Sequence, residues 1–397
     1  MLNQEVQREI KKEFLKQIKA ILENLNIEKR SINAFLRNKC TEFLLENIQT
    51  ISLLLSALEC IVIFKSDPDV RKSLEENDEI QKALQICLFY IMAYTDMKEE
   101  NKAPTITILI SSNFKPGGTY FEHPGSESIK GKRLDGNFIE IRDEFFRFDG
   151  FSSILVVDPK ELKITTVACY NNYPEDLKEL TKSDKFRNSH ILFLNGERKN
   201  IEYYHNGELK GIILYNRKLG TYEVICLHIL RENINNLIRE KLKNIGDENL
   251  ATILYTLIKD IAFFASKEGY GTGFIIGTRE AFNNLITGKK IIDASRLKKY
   301  TNYVDIRNVS MSFLLNLIKR DGHILMMPDG RLFADSAFLR LPGGRHKSVE
   351  SLIRRYCRNC IGLVISVDGP ISLYYYDRDE KNAVKLNVFE LSRIKLQ

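Results

Sequence analysis

Residues 320–372 read RDGHILMMPDGRLFADSAFLRLPGGRHKSVESLIRRYCRNCIGLVISVDGPIS, and the fold of the C-terminal region turns on them. His323 to Met327 and Arg331 to Ala334 are apolar runs on either side of Pro328-Asp329-Gly330. Glycine can take positive φ at such a turn, so the two runs are predicted to pair as a hairpin. Leu341-Pro342-Gly343-Gly344 reads as a loop that leads into Arg345-His346-Lys347-Ser348. Val349, Leu352, Ile353 and Tyr356 then share one face at helical spacing, which predicts a helix opening at the basic cluster. Ile361 to Ser366 is an apolar strand of the kind buried on both faces, and Ile371 to Tyr376 is another after Asp368-Gly369-Pro370.

That layout has the parts of a phosphate site. A helix N-terminus leaves backbone N–H groups free and carries the positive end of the dipole. Two glycines let the backbone pass close to a bound group. Arg345 offers a planar fork and Lys347 a point charge. His346 can donate to a phosphate oxygen or orient a neighbour. The plain alternative is a helix start whose basic residues face water. The Walker pattern is excluded, because it needs four residues between its glycines followed by Lys-Ser or Lys-Thr. A triphosphate needs a divalent cation, and hard cations take carboxylate oxygen. Asp321 and Asp368 sit at strand–loop junctions flanking the cradle, while Asp329 and Asp335 lie nearer the hairpin. Asp321 ranks first because it abuts an apolar strand, where a charge is costly.

The rest of the 397 residues should hold one or two further domains. A 44% hydrophobic and 28% charged composition is ordinary, so a sizeable core is expected. The net charge of +7 is spread along the chain. With no long basic stripe, it fits a polyanionic small ligand such as a nucleotide better than nucleic acid. Seven scattered cysteines, an odd number, fit reduced thiols in a cytoplasm. Cys357 and Cys360 form one CxxC late in the predicted helix, without a second pair or nearby histidine to complete a zinc site, and are read as ordinary thiols. The charged, amphipathic N-terminus is not a secretory leader, and Ile51 to Phe64, which includes Glu59, is short for a span and reads as a buried helix.

Three regions are expected. Residues 1–100 are helical, with apolar steps at Ile10, Phe14, Ile18, Ile21 and Leu22, a run from Ile32 to Phe64 broken at Pro68, and a helix from Glu79 to Tyr94. Residues 101–240 form an α+β, sensor-like domain with strands at Thr105–Ile110, Ser152–Val157, Ile164–Cys169, Ile191–Leu194, Gly211–Tyr215 and Tyr222–His228. His123, His190, His205 and His228 lack ligand spacing there. Residues 231–250 read as a polar connecting helix, with a boundary at Gly246-Asp247. Residues 241–397 form an α/β domain with a helix at Leu254–Ala265, a strand at Gly273–Gly277, a helix within Asn302–Arg320, and then the stretch quoted above.

Residues from about 250 to 378 resemble the diadenylate cyclase domain, the catalytic N-terminal domain of the bacterial DNA-integrity scanning protein and its membrane-bound and archaeal relatives. The family's Asp-Gly-Ala stands here as Asp321-Gly322-His323, and its Arg-His-Arg, which follows a Gly-Thr or Gly-Ala, stands within Gly344-Arg345-His346-Lys347. Leu341-Pro342 matches its Leu-Pro, and Ile365-Ser366-Val367-Asp368 matches its strand ending in Ser-Glu-Glu. The resemblance implies a mixed sheet with helices on both faces and condensation of two ATP into cyclic di-AMP with release of two pyrophosphates. It implies a homo-oligomer in which two domains meet face to face. Asp321, Gly322, Arg345 and His346 would be catalytic. Gly273, Ile276, Gly277, His323, Leu341, Gly343, Gly344, Lys347, Ser348 and Ser366 would bind the nucleotide, and Asp321 with Asp368 would hold Mg2+ or Mn2+. Three residues depart from the pattern: His323 replaces an alanine, Lys347 an arginine and Asp368 a glutamate. A fainter echo joins residues 145–171, FFRFDGFSSILVVDPKELKITTVACYN, to residues 317–339, with Asp149-Gly150 in the place of Asp321-Gly322 and no Gly-Arg-His following. A degenerate repeat is one reading of the middle region, and a sensor is the broader one.

Overall fold

The structure is a computed structural model that describes residues 53, 56–95, 105–112, 114–115, 120–134, 153–170, 189–195, 200–216, 221–242, 245, 249–263, 265, 270–300, 304–366 and 371–392. The helix read at Ile10 to Leu22, Asp149-Gly150, the Gly246-Asp247 boundary and Asp368 lie outside the described residues.

The chain is a mixed α/β protein built on two mixed sheets. The first contains β1 (Ile106–Ile110), β2 (Tyr120–Glu122), β3 (Ser153–Asp158), β4 (Lys163–Tyr170), β5 (His190–Asn195), β6 (Asn200–His205), β7 (Glu208–Asn216) and β8 (Thr221–Cys226), in the order β2-β4-β3-β1-β5-β6-β7-β8. The second contains β9 (Thr272–Ile276), β10 (Lys298–Lys299), β11 (His323–Met326), β12 (Leu332–Ala337), β13 (Ile361–Ile365), β14 (Ser372–Asp377) and β15 (Asn382–Asn387), in the order β10-β12-β11-β9-β13-β14-β15.

The two sheets are the same figure drawn twice. Adding eight to each label of β2-β4-β3-β1-β5-β6-β7 reproduces the second order. The directions agree as well: β1 runs parallel to β3, β9 runs parallel to β11, and the other pairs are antiparallel. Among the described strands β8 alone has no counterpart. The echo in residues 145–171 therefore falls on matching strands, and the middle region carries the same topology as the C-terminal one.

Helices precede each central strand. Residues 56–64, α1 (Pro68–Glu75) and α2 (Asp78–Thr95) pack on the first sheet through Phe64, Leu74, Leu84, Leu88 and Ile91, against Ile106, Ile108 and Ile110. Asp67 caps α1, accepting from the N–H groups of Asp69 and Val70. After β8 come α3 (Leu227–Lys241) and α4 (Leu250–Thr256), the latter widening into a π turn at Leu257–Ala262. The last strand of the middle region stops at Cys226, and His228 lies in α3. That helix is a core element as well as a connector. Leu230, Ile234 and Leu237 share one apolar cluster with Ile212 and Ile225 of the first sheet and Phe274 and Ile276 of the second. Its polar composition comes from the outward face, Arg231, Glu232, Asn235 and Asn236. Among the described residues no helix is long and apolar enough to cross a membrane.

The second sheet is covered on both sides. Leu314, Leu317 and Ile318 of α6 (Met311–Ile318) join α3 and α4 on one face; α5 (Arg279–Asn283) and α7 (Arg345–Arg355) cover the other through Phe282, Val349, Leu352 and Ile353. All five residues of β13 are buried, as its apolar run requires.

His190 and His205 are core residues of the first sheet. Their rings stack with centroids 4.3 Å apart, and His190 reaches Tyr203 Oη at 2.8 Å and Ser73 Oγ at 3.0 Å. Burial, with His205 alongside, pushes the His190 pKa down to about 3, and burial lowers His205 too. The fold thus favours the neutral rings, while the unfolded chain binds protons below about pH 6.5. Stability from these rings is complete above that pH and falls on acidification, by up to about 1.4 kcal/mol per pH unit for each ring. Urea midpoints measured from pH 7.5 to 5 are expected to drop, and less so in His190→Gln.

Candidate functional site

The residues of the Asp-Gly and Gly-Arg-His motifs meet at one end of the second sheet, where β9 and β11 begin and β13 ends. His323 pairs in register with Gly273, and Ile365 with Thr272, which places Ser366 at this end as well. Gly322 turns the chain into β11 at φ +97. Asp321, just before it, has a side chain 78% exposed. Its Oδ1 accepts from the Gly322 N–H at 2.9 Å and from Arg345 Nη2 at 3.3 Å. The carboxylate at the start of β11 and the guanidinium at the start of α7 therefore face one another.

Helix α7 opens on Gly344, with Gly343 at φ +97 before it. Gly344 has no side chain to cap the helix, so the first-turn N–H groups are open to an incoming anion. Lys347 is exposed beside them. His346 is half-buried and turned inward, its Nδ1 2.9 Å from Tyr374 Oη in β14. Burial lowers its pKa, with the charges of Lys385 and Arg345 acting the same way, which favours the neutral ring. Ser348 is buried and donates to the Arg345 carbonyl at 3.0 Å, which makes it a brace for the first turn rather than an open ligand group. Leu341 packs on the cluster of Phe282 and Leu285. Tyr374 was legible only as a strand residue, and its tie to His346 is visible only in the fold.

His323 lies beneath this arrangement, 4% exposed. Its Nδ1 is 3.1 Å from the Ala337 carbonyl, and its Nε2 is buried without a partner. The ring lies across Gly273, where a Cβ would stand 2.6 Å from Cδ2. Burial lowers the His323 pKa to about 4.

Two expected nucleotide residues lie elsewhere. Ile276 and Gly277 are at the far end of β9, roughly 10 Å or more from Gly273 at about 3.3 Å per residue. A strand carries its two ends apart, although its sequence is short. Gly277 there abuts Cys360 and Phe282. A separate cleft of about 480 Å³ opens nearby, lined by Thr278, Arg279, Met327, Pro328, Asp329 and Arg331 with Ile245. Asp335, within the hairpin, is buried and accepts from Tyr300 Oη and Arg320 Nη1, both at 2.5 Å, and from Ser336 Oγ at 2.7 Å. That is a structural role. Cys357 and Cys360 are also corrected: α7 ends at Arg355, and the two sulfurs are joined in a disulfide. Cys60, Cys87, Cys169 and Cys226 are buried free thiols, as expected.

Among the described residues no group of three or more His, Cys, Asp and Glu side chains could hold a metal ion. The described donors therefore do not form a protein-built cage among themselves. An exposed single carboxylate at Asp321 fits the other manner of holding Mg2+, in which one or two carboxylates meet a cation that arrives with the substrate phosphates.

Neither a scan against protein-family models nor a search of curated proteins returns a match for this chain.

Proposed function

We propose that the chain is a cytoplasmic diadenylate cyclase that condenses two ATP into cyclic di-AMP, releasing two pyrophosphates. The observation that carries this reading is the Asp321–Arg345 pair beside the uncapped start of α7. An exposed ion pair adds little stability. Its value lies in what can replace each partner: a phosphate for Asp321 at the arginine, and a cation for Arg345 at the carboxylate.

In this reading the N–H groups of α7, the Arg345 fork and Lys347 bind the phosphates. Mg2+ or Mn2+ at Asp321 would neutralise charge on the α-phosphate. The Gly343-Gly344 turn lets the triphosphate lie against backbone, and Tyr374 fixes the tilt of His346 at its edge. Each ribose 3′-oxygen forms a bond to the α-phosphorus of the other ATP. The α–β phosphoanhydride bond breaks, pyrophosphate carries away the electron pair, and the hydroxyl proton is released. Positioning and charge neutralisation supply the rate. One domain holds one ATP and one half-site, so the active form is a homodimer with the motif ends of two C-terminal sheets facing.

A second reading, a nucleotide-binding sensor without turnover, draws on His323 filling the place of the family's alanine. The test separates the two. Purified protein with ATP and Mg2+ or Mn2+ is expected to yield a product with the mass of cyclic di-AMP. Absence of product with either metal, with ATP binding intact by calorimetry, would overturn the cyclase reading and leave the sensor.

A further inference from the structure

We infer that His323 sets the nucleoside specificity of this site by accepting, at Nε2, a hydrogen bond from a donor on the nucleoside, either a ribose hydroxyl or the amine of the base. The inference rests on the nucleotide reading above. The Ala337 carbonyl can only accept, so the 3.1 Å contact makes Nδ1 the donor. The neutral ring then carries its lone pair at Nε2, and that atom is buried without a hydrogen-bond partner. Most buried polar atoms are paired, and an unpaired acceptor costs roughly as much as a lost hydrogen bond.

Position gives the unpartnered Nε2 a meaning. His323 directly follows the Asp321-Gly322 turn and lies on the sheet face that α7 covers. Its ring fills the space above Gly273 that any side chain there would occupy. The Asp321–Arg345 ion pair joins the start of β11, which carries the ring, to the start of α7. When phosphate takes Arg345 and a cation takes Asp321, that pair opens, and the nucleoside half of the ligand is brought toward Nε2. A hydroxyl or an amine supplies the missing hydrogen. A site with such an acceptor rejects analogues that lack the donor.

The test uses the full chain and the non-cleavable α,β-methylene triphosphates of adenosine, 2′-deoxyadenosine, 3′-deoxyadenosine and inosine, with affinities read by calorimetry. At least one of the three altered analogues is expected to bind about tenfold more weakly than the adenosine compound, the size expected for one buried acceptor left unpaired. A deoxyribose penalty assigns the donor to a hydroxyl, and an inosine penalty assigns it to the amine. In His323→Asn the amide can still donate to Ala337 but nothing reaches the Nε2 position, so the penalty should shrink to within about twofold of none. His323→Gln, which can place an acceptor near that position, should keep part of it. Urea midpoints confirm that both variants fold. Equal binding of all four compounds, or a penalty unchanged in both variants, overturns the inference and leaves the nucleotide site standing. Failure of the adenosine compound to bind wild-type protein overturns both.

Discussion

Asp321→Ala is expected to lower cyclic di-AMP formation at least a hundredfold, and Arg345→Ala by a similar factor, with folding intact in both. The fold should be indifferent because both side chains sit at element starts and their mutual pair is exposed. Such pairs are worth under about 1 kcal/mol. The chemistry should not be indifferent, because a lost charge-stabilising group commonly costs about 10² to 10³ in rate. The two variants should differ in binding. Arg345→Ala removes a phosphate fork, so ATP affinity falls. Asp321→Ala removes the carboxylate that competes with phosphate for Arg345, so ATP measured without divalent metal binds at least as well as to wild type. The double variant Arg345→Ala with His346→Ala should give no product. Calorimetry and a product assay read both quantities. Wild-type turnover in Asp321→Ala would remove that residue from the chemistry.

The second sheet was legible because its signals are local. Each apolar run of the 320–376 stretch became a strand with ends shifted by one to three residues at most, and the helix begins at Arg345, where the basic cluster placed it. Asp321 and Arg345, 24 residues apart, meet because a hairpin and a loop return the chain to the end at which it started. What was hidden depended on long-range pairing. β6 (Asn200–His205) alternates polar and apolar residues weakly, and its role is set by neighbours on both sides. β15 carries Asn382, Lys385 and Asn387 and looks like a loop until it is seen pairing along all of β14. α3 was judged by its polar residues, while its buried ones lock the two sheets to one core. Ile276 and Gly277 were grouped with Gly273 by the family resemblance, yet β9 puts them at the opposite end of the sheet from Gly273. The repeat was faint in sequence because topology tolerates exchange among apolar residues, whereas a phosphate loop does not survive the loss of its Gly-Arg-His.

Gly322→Ala is the backbone counterpart of the charge variants, and it should cost about 3 kcal/mol or more of stability as well as activity. Gly322 has φ +97, outside what an L side chain adopts without strain, which by itself costs about 1 to 3 kcal/mol. There is also no room. A Cβ would lie 2.9 Å from the Ser336 carbonyl carbon and 3.1 Å from the Ala337 nitrogen. Those are backbone atoms of β12, the hairpin partner of β11, and a flexible side chain could yield where they cannot. If β12 shifted to admit the methyl group, it would carry the Ala337 carbonyl away from His323 and disturb the Gly322 N–H bond that orients Asp321. Gly344→Ala is the control. Gly344 has φ −71, and a Cβ there meets nothing within 4 Å, so stability should change by less than about 1 kcal/mol. Its methyl group would instead stand at the open N-terminus of α7, where the proposed phosphates bind. A site built as described here therefore predicts opposite profiles for the two glycines: a lowered urea midpoint for Gly322→Ala, and an almost unchanged midpoint with weakened ATP affinity for Gly344→Ala. Equal midpoints for the two variants would show that the Asp321 turn is not held against β12.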